Sequence, residues 1–132
     1  ASPEAGADVT VTVPVPDTGF LLDGVTRLGI KMLLNAMSTC TMVRLGRVMG
    51  NTMIWVVPSN LKLIDRSTRY VQRLTGMGYN EACHLVHEVM EYVAPRMLKD
   101  LAYPPVVGVS VLRARHGLTN EEAEERLYRE MG

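Results

Sequence analysis

In residues 9–15, Val9, Val11, Val13 and Val15 alternate with Thr10, Thr12 and Pro14. A two-residue period of β-branched side chains predicts one strand, and Pro14 and Pro16 end it and mark a sheet edge. A lone strand is not stable in water, so it needs a sheet that a chain otherwise patterned as helix barely supplies. The chain also opens without Met and offers nothing before this strand to pair with it. The expectation is a processed or truncated chain whose fold class is mostly α with one or two strands.

The 132 residues match one ordinary domain, and 47% hydrophobic against 21% charged residues is a globular balance rather than a disordered one. Fourteen basic and fourteen acidic groups give zero net charge, which removes the electrostatic basis for a general nucleic-acid or anionic-membrane partner. Nine Met and few aromatics suggest an aliphatic and thioether core, commoner in helical packing than in β-sandwiches. Cys40 and Cys83 are too few for a disulfide scaffold or zinc ribbon and read as free, buried thiols in a reducing compartment. The start has neither the basic nor the apolar region of a secretory signal. Residues 32–43 form an uncharged stretch too short to span a bilayer, so a soluble protein is expected.

Charge divides the chain. Residues 1–57 carry eight charged groups, and residues 58–132 carry the other twenty. The first part is thus expected to be buried or packed on a partner and the second to be a solvated helical module, joined at Pro58-Ser59. In the first part Leu28, Met32, Leu33, Ala36, Met37, Cys40, Val43 and Arg47 recur at helical spacing. They predict a helix over residues 26–49, about 36 Å long, stopped by Gly50-Asn51. The small residues Ser38 to Thr41 would let another backbone approach closely. Residues 52–57 fit either a strand or a buried connector.

In the second part Ser59 is expected to cap a helix whose apolar stripe is Leu61, Ile64, Thr68, Val71 and Leu74, ending at Gly76 and Gly78. Asn80 would cap the next, with Ala82, Leu85, Val86 and Val89 facing a core and Pro95 kinking or restarting it. After Pro104-Pro105 come Val106 to His116, then Gly117, then a Thr119/Glu122 capping box for a helix over Asn120 to Met131. Its glutamates, with expected pairs Glu122–Arg126 and Glu125–Arg129, read as a solvated face.

Three groups of residues are chemical candidates. The segment Gly24-Val25-Thr26-Arg27-Leu28-Gly29-Ile30-Lys31 lacks the lysine placement of a nucleotide P-loop. Free N–H groups at a helix start, the Thr26 hydroxyl, Arg27 and Lys31 can still converge on a phosphate or carboxylate; the bland alternative is a glycine-eased loop. His84, His87, Glu88 and Glu91 have metal-like spacing but match no zincin order, and polar surface positions explain them better. Lys62, Arg66, Arg69 and Arg73 form a basic stripe, and His116 suits a helix C-terminus. No Ser–His–acid or Cys–His nucleophile is suggested.

The run Lys31-Met32-Leu33-Leu34-Asn35-Ala36-Met37-Ser38-Thr39-Cys40-Thr41, continued by Arg44-Leu45-Gly46-Arg47 and Gly50-Asn51, resembles the helix of N-acetylmuramic acid 6-phosphate etherases. The glucokinase regulatory protein belongs to the same family. Gly24-Val25-Thr26-Arg27, Ser59-Asn60 with Lys62, Asp65-Arg66, Leu74-Thr75-Gly76 and Gly117-Leu118 with Glu122-Ala123 extend the resemblance over nearly the whole chain. It implies the C-terminal part of an α/β SIS (sugar isomerase) fold, with residues 1–57 giving the last strand and a long helix and residues 58–132 a helical module. It also implies a cytoplasmic, cofactor-free, metal-free carbon–oxygen lyase that eliminates D-lactate from a phosphorylated amino sugar in cell-wall recycling. A homo-oligomer or a complementary SIS segment is the implied protein partner. Thr26, Arg27 and Lys31 carry over as substrate-binding residues. The family's catalytic glutamates and Ser/Thr phosphate loop have no counterpart here, so no catalytic residue is assigned and the chain alone is expected to be inactive. The alternative class is a non-catalytic regulatory or assembly module whose helices bind a protein.

Overall fold

The computed structural model describes residues 10–15, 17, 19 and 23–131. Five helices and two short strands make up the described elements: α1 (Gly24–Arg44), β1 (Val48–Met49), β2 (Thr52–Met53), α2 (Leu61–Thr75), α3 (Tyr79–Leu98), α4 (Val106–His116) and α5 (Asn120–Met131). The mostly helical class is as expected. Two compact units divide the chain, Ala1–Thr41 and Met42–Gly132.

The valine segment does not form the strand its alternation predicts. Val9 lies outside the described residues, and residues 10–15 pair with no strand among those described. Alternation selects which side chains share a face, but a strand exists only where a neighbour completes its backbone hydrogen bonds. Val11 and Val13 are exposed, while Val15 reaches α1, its Cγ2 only 3.3 Å from where a Cβ on Gly29 would stand. Of the first part, Thr52 and Ile54 are buried within this chain, but α1 is not. No residue of α1 is buried, and Leu28, Met32, Met37 and Val43 of the predicted stripe are exposed.

The predicted helix over residues 26–49 stops early, at Arg44. Gly46 has a left-handed φ of 68°, its N–H donates to the Val43 carbonyl, and the Arg47 N–H donates to the Met42 carbonyl. That is a Schellman C-cap, which satisfies two carbonyls that the last turn leaves orphaned. Gly50-Asn51 serves a different turn. It joins β1 to β2 in an antiparallel hairpin with Val48 opposite Met53 and Met49 opposite Thr52. Gly50 takes the positive φ (59°) that the first central position of a II′ turn requires. The hairpin delivers Ile54, 1% exposed, into the core of the second unit.

That core is built around α4. Residues 106–112 are buried on every side, because Val106, Val107, Val109, Val111 and Leu112 leave no polar face. Four valines in six residues are mediocre helix formers, so packing against α2, α3 and α5 holds this helix rather than propensity. Ser110, buried among them, donates its hydroxyl to the Val106 carbonyl at 2.8 Å. Around α4 stand Val71 of α2, Ala82, Val86, Val89 and Val93 of α3, and Ala123 and Leu127 of α5.

Local signals place most helix ends, with two corrections. Asn60, not Ser59, caps α2: its Oδ1 accepts from the Leu63 N–H at 3.0 Å, because Ser59 is held in a turn by its own N–H to the Val57 carbonyl. Gly78, not Asn80, begins α3, since its extended backbone offers its carbonyl to the Ala82 N–H and leaves Asn80 inside the first turn. The predicted stripe of α2 holds at Thr68 and Val71 and fails at Leu61, which is 85% exposed. Helix α3 runs through Pro95 to Leu98, whereas Gly76 and Gly117 cap α2 and α4 in the left-handed conformation. The capping box is reciprocal: the Thr119 N–H donates to Glu122 Oε2 at 2.9 Å and the Glu122 N–H donates to Thr119 Oγ1 at 3.3 Å. Asn60→Ala is expected to cost about 1 kcal/mol, the usual loss of a side-chain N-cap. A urea midpoint lowered at unchanged slope is the check.

Candidate functional site

Thr26, Arg27 and Lys31 all lie on the first two turns of α1 and are exposed. The first turn of α1 carries no acidic residue of its own, and Asp23, directly before it at a φ of 52°, brings a carboxylate to the positive end of the helix dipole. Arg27 and Lys31, four apart, share a face. Thr26 points elsewhere: at about 100° per residue it aligns with Gly29, Ile30 and Leu33. With Val11, Val13 and Val15 these residues line a small apolar pocket of about 210 Å³. Helix α1 thus carries the two cations one turn apart on one face, with Thr26 beside the valine segment.

The histidine group divides as well. His84 and Glu88 line a groove of about 750 Å³ together with Glu81, Leu85 and Arg113. His87 turns along its own helix, its Nδ1 2.9 Å from the Cys83 carbonyl oxygen and 3.7 Å from Cys83 Sγ. Among the described residues no three His, Cys, Asp or Glu side chains converge as metal ligands. The thiols are free, but the expectation that they are buried is wrong: Cys40 is exposed and Cys83 half-buried, because no residue of α1 is buried and Cys83 lies between the core positions of α3. Lys62, Arg66, Arg69 and Arg73 are all exposed. Within that stripe Arg69 Nε donates to Asp65 Oδ2 at 2.9 Å, and Tyr79 donates its hydroxyl to Asp65 Oδ1 at 2.7 Å. Those two hydrogen bonds hold the Asp65 carboxyl below the ordinary carboxylate range, Arg69 contributing most.

One polar cluster escaped the sequence reading. Glu124 is not on a solvated face: it accepts from both Nη1 and Nη2 of Arg96, at 2.7 and 2.8 Å, and from the Tyr92 hydroxyl at 2.7 Å. The Arg96 hydrogen bonds pull the Glu124 carboxyl down against the effect of burial, and burial followed by Glu124 pushes the Tyr92 phenol up. The expected pairs Glu122–Arg126 and Glu125–Arg129 do not form. Glu122 is engaged in the capping box, and Arg126 donates instead to Glu130 at 2.8 Å. A second unforeseen contact is Arg115, which donates Nε and Nη2 to the Leu74 carbonyl at the end of α2. Both clusters hold helices together.

The described helices include none long and apolar enough to cross a membrane. No family model matches the chain, and no solved structure does. Curated relatives do. The N-acetylmuramic acid 6-phosphate etherase of Staphylococcus aureus (strain USA300) is 39% identical over 111 residues, covering 81% of this chain and 32% of the relative. The N-acetylmuramic acid 6-phosphate etherase of Synechococcus sp. (strain CC9902) is 49% identical over 70 residues, covering 50% of this chain and 22% of the relative. The chain therefore spans 32% of the length of the first of these and 22% of the second. Over the segments matched, it is a homologue of the N-acetylmuramic acid 6-phosphate etherases.

Proposed function

We propose that the chain does the work of the C-terminal portion of an etherase-like, SIS-type sugar-phosphate protein of the cytoplasm. Its part is to position a phosphorylated amino sugar and to supply helical packing in a homo-oligomer or against a complementary SIS segment. The reaction of such an assembly is carbon–oxygen elimination, releasing D-lactate from N-acetylmuramic acid 6-phosphate. The proton transfers fall to glutamates of another part of the fold, and no residue of this chain is assigned to them. Two stretches divide the labour, residues 1–57 for the SIS-like part and residues 58–132 for the helical module.

The observation that carries this reading is the homology to etherases, 39% identical over 111 residues of the chain. Arg27 and Lys31 present two cations on one exposed face close to the start of the helix, an arrangement suited to a phosphate monoester. Thr26 offers a hydroxyl one residue before Arg27, on the neighbouring face. A second reading, an assembly module without catalysis, is favoured by the exposed Leu28, Ile30, Met32, Leu34 and Met37 on α1.

Calorimetric titration with N-acetylglucosamine 6-phosphate separates the two. Saturable heat that disappears in Arg27→Ala and Lys31→Ala supports phosphosugar positioning. No heat at about millimolar ligand, a concentration corresponding to roughly −4 kcal/mol, supports the assembly module. Lactate release from N-acetylmuramic acid 6-phosphate by this chain alone would overturn the division of labour.

A further inference from the structure

The groove between α3 and α4 has a chemical character that the phosphosugar reading does not use. Arg113, in the last turn of α4, has a side chain only 21% exposed, and its Nε and Nη1 are buried without a hydrogen-bond acceptor. The charge facing it is Glu88, whose Oε2 lies 3.0 Å from Nη1 without the alignment of a hydrogen bond. Glu88 is itself 59% exposed, so its carboxylate can rotate into water without losing a buried partner. A nearly enclosed guanidinium with unanswered N–H groups, neutralised by a loosely held carboxylate, is organised for an external oxyanion that takes that carboxylate's place.

The surroundings restrict which oxyanion. Glu81, His84 and Glu88 follow at intervals of three and four residues along α3 and so share its groove-facing side. The two glutamates repel densely charged ligands, while His84 between them offers a ring nitrogen. Below the charged rim, Met77, Leu85 and Leu118 give an apolar floor. We propose that this groove binds a small organic monocarboxylate, with its carboxylate on the Arg113 guanidinium in place of Glu88 and its alkyl body on Met77, Leu85 and Leu118.

Sodium acetate, sodium butanoate and inorganic phosphate, titrated into the full chain at constant ionic strength and followed by NMR, test this. Butanoate is expected to give saturable shifts at the Arg113 Nε–H and the Leu85 and Leu118 methyls. It should bind about tenfold more tightly than acetate, from two further methylenes on the apolar floor. Glu88→Gln, an exposed substitution that leaves the fold alone, removes the internal competitor and is expected to tighten butanoate binding about tenfold. Arg113→Gln is expected to abolish it. Absence of saturable shifts in both the native chain and Glu88→Gln overturns the proposal, as does an unchanged affinity in Glu88→Gln. Phosphate binding as tightly as butanoate overturns the monocarboxylate class.

Discussion

Leu127→Ala is expected to lower the unfolding free energy of the second unit by about 3 kcal/mol, within the range for a leucine deleted from a closed core. Leu127 is 1% exposed and docks α5 on α4 at Gly108. A Cβ placed on Gly108 would stand 3.0 Å from Leu127 Cδ2 and 3.3 Å from Ile54 Cδ1, so α5, α4 and the segment after the hairpin meet at one point. Gly108→Ala by itself adds helix propensity of about 1 kcal/mol and gives part of it back in crowding the Leu127 methyls. Combined with Leu127→Ala the crowding against the Leu127 methyls is gone, leaving only Ile54 Cδ1 close, and the new methyl occupies part of the vacated space. The double variant is therefore expected to be about 1 kcal/mol more stable than Leu127→Ala alone, by more than the single Gly108→Ala gains. Urea unfolding followed by the fluorescence of Trp55, the one tryptophan, measures all three. Strict additivity would mean that Gly108 and Leu127 do not share the space the structure gives them.

Features encoded within one turn of chain were legible. The Thr119/Glu122 capping box, the left-handed glycines after α2 and α4, and the break at Pro104-Pro105 need only neighbours in sequence, and each stands where its residues predict. Competition between similar signals was not legible. Gly46 and Gly50 are both able to end α1, and only the packing of the β1–β2 hairpin decides that the first caps the helix and the second turns the hairpin. The valine alternation specified a face but not a partner, and its partner decides whether it is a strand. Long-range choices were hidden for a third reason. The i,i+4 rule pairs Glu125 with Arg129 within α5, but it has no means of seeing Arg96 arrive at Glu124 from another helix. At the candidate site, the residue types at the start of α1 and the turn of Thr26 away from the Arg27–Lys31 face follow from helical spacing, whereas the pocket that Thr26 shares with Val11, Val13 and Val15 depends on where the valine segment lies. Arg113 carried no sequence signal at all, since its interest lies in what fails to bond to it.

Glu124→Gln is expected to cost about 2 kcal/mol at neutral pH, because it leaves the Arg96 guanidinium, 28% exposed, without its charge partner and breaks a bidentate contact between α3 and α5. The pH dependence distinguishes this from a simple packing loss. The folded Glu124 carboxyl is held below its ordinary value of 4.5, chiefly by the Arg96 hydrogen bonds. Its stabilisation is therefore fully present above the unfolded value and is lost as pH falls through the lower folded one. Unfolding curves of the native chain and Glu124→Gln should thus converge on acidification below about 4.5, Glu124 being neutral in both states at the acid end. At the other extreme, burial and Glu124 raise the Tyr92 phenol above its ordinary 10.0. That contribution is complete below pH 10 and disappears as pH climbs through the raised folded value, so Tyr92→Phe should flatten only the alkaline side of the profile. A Glu124→Gln curve parallel to the native one from neutral pH to pH 3 would show that Arg96 does not hold the carboxylate charged, and α5 would then be held chiefly by its packing on α4.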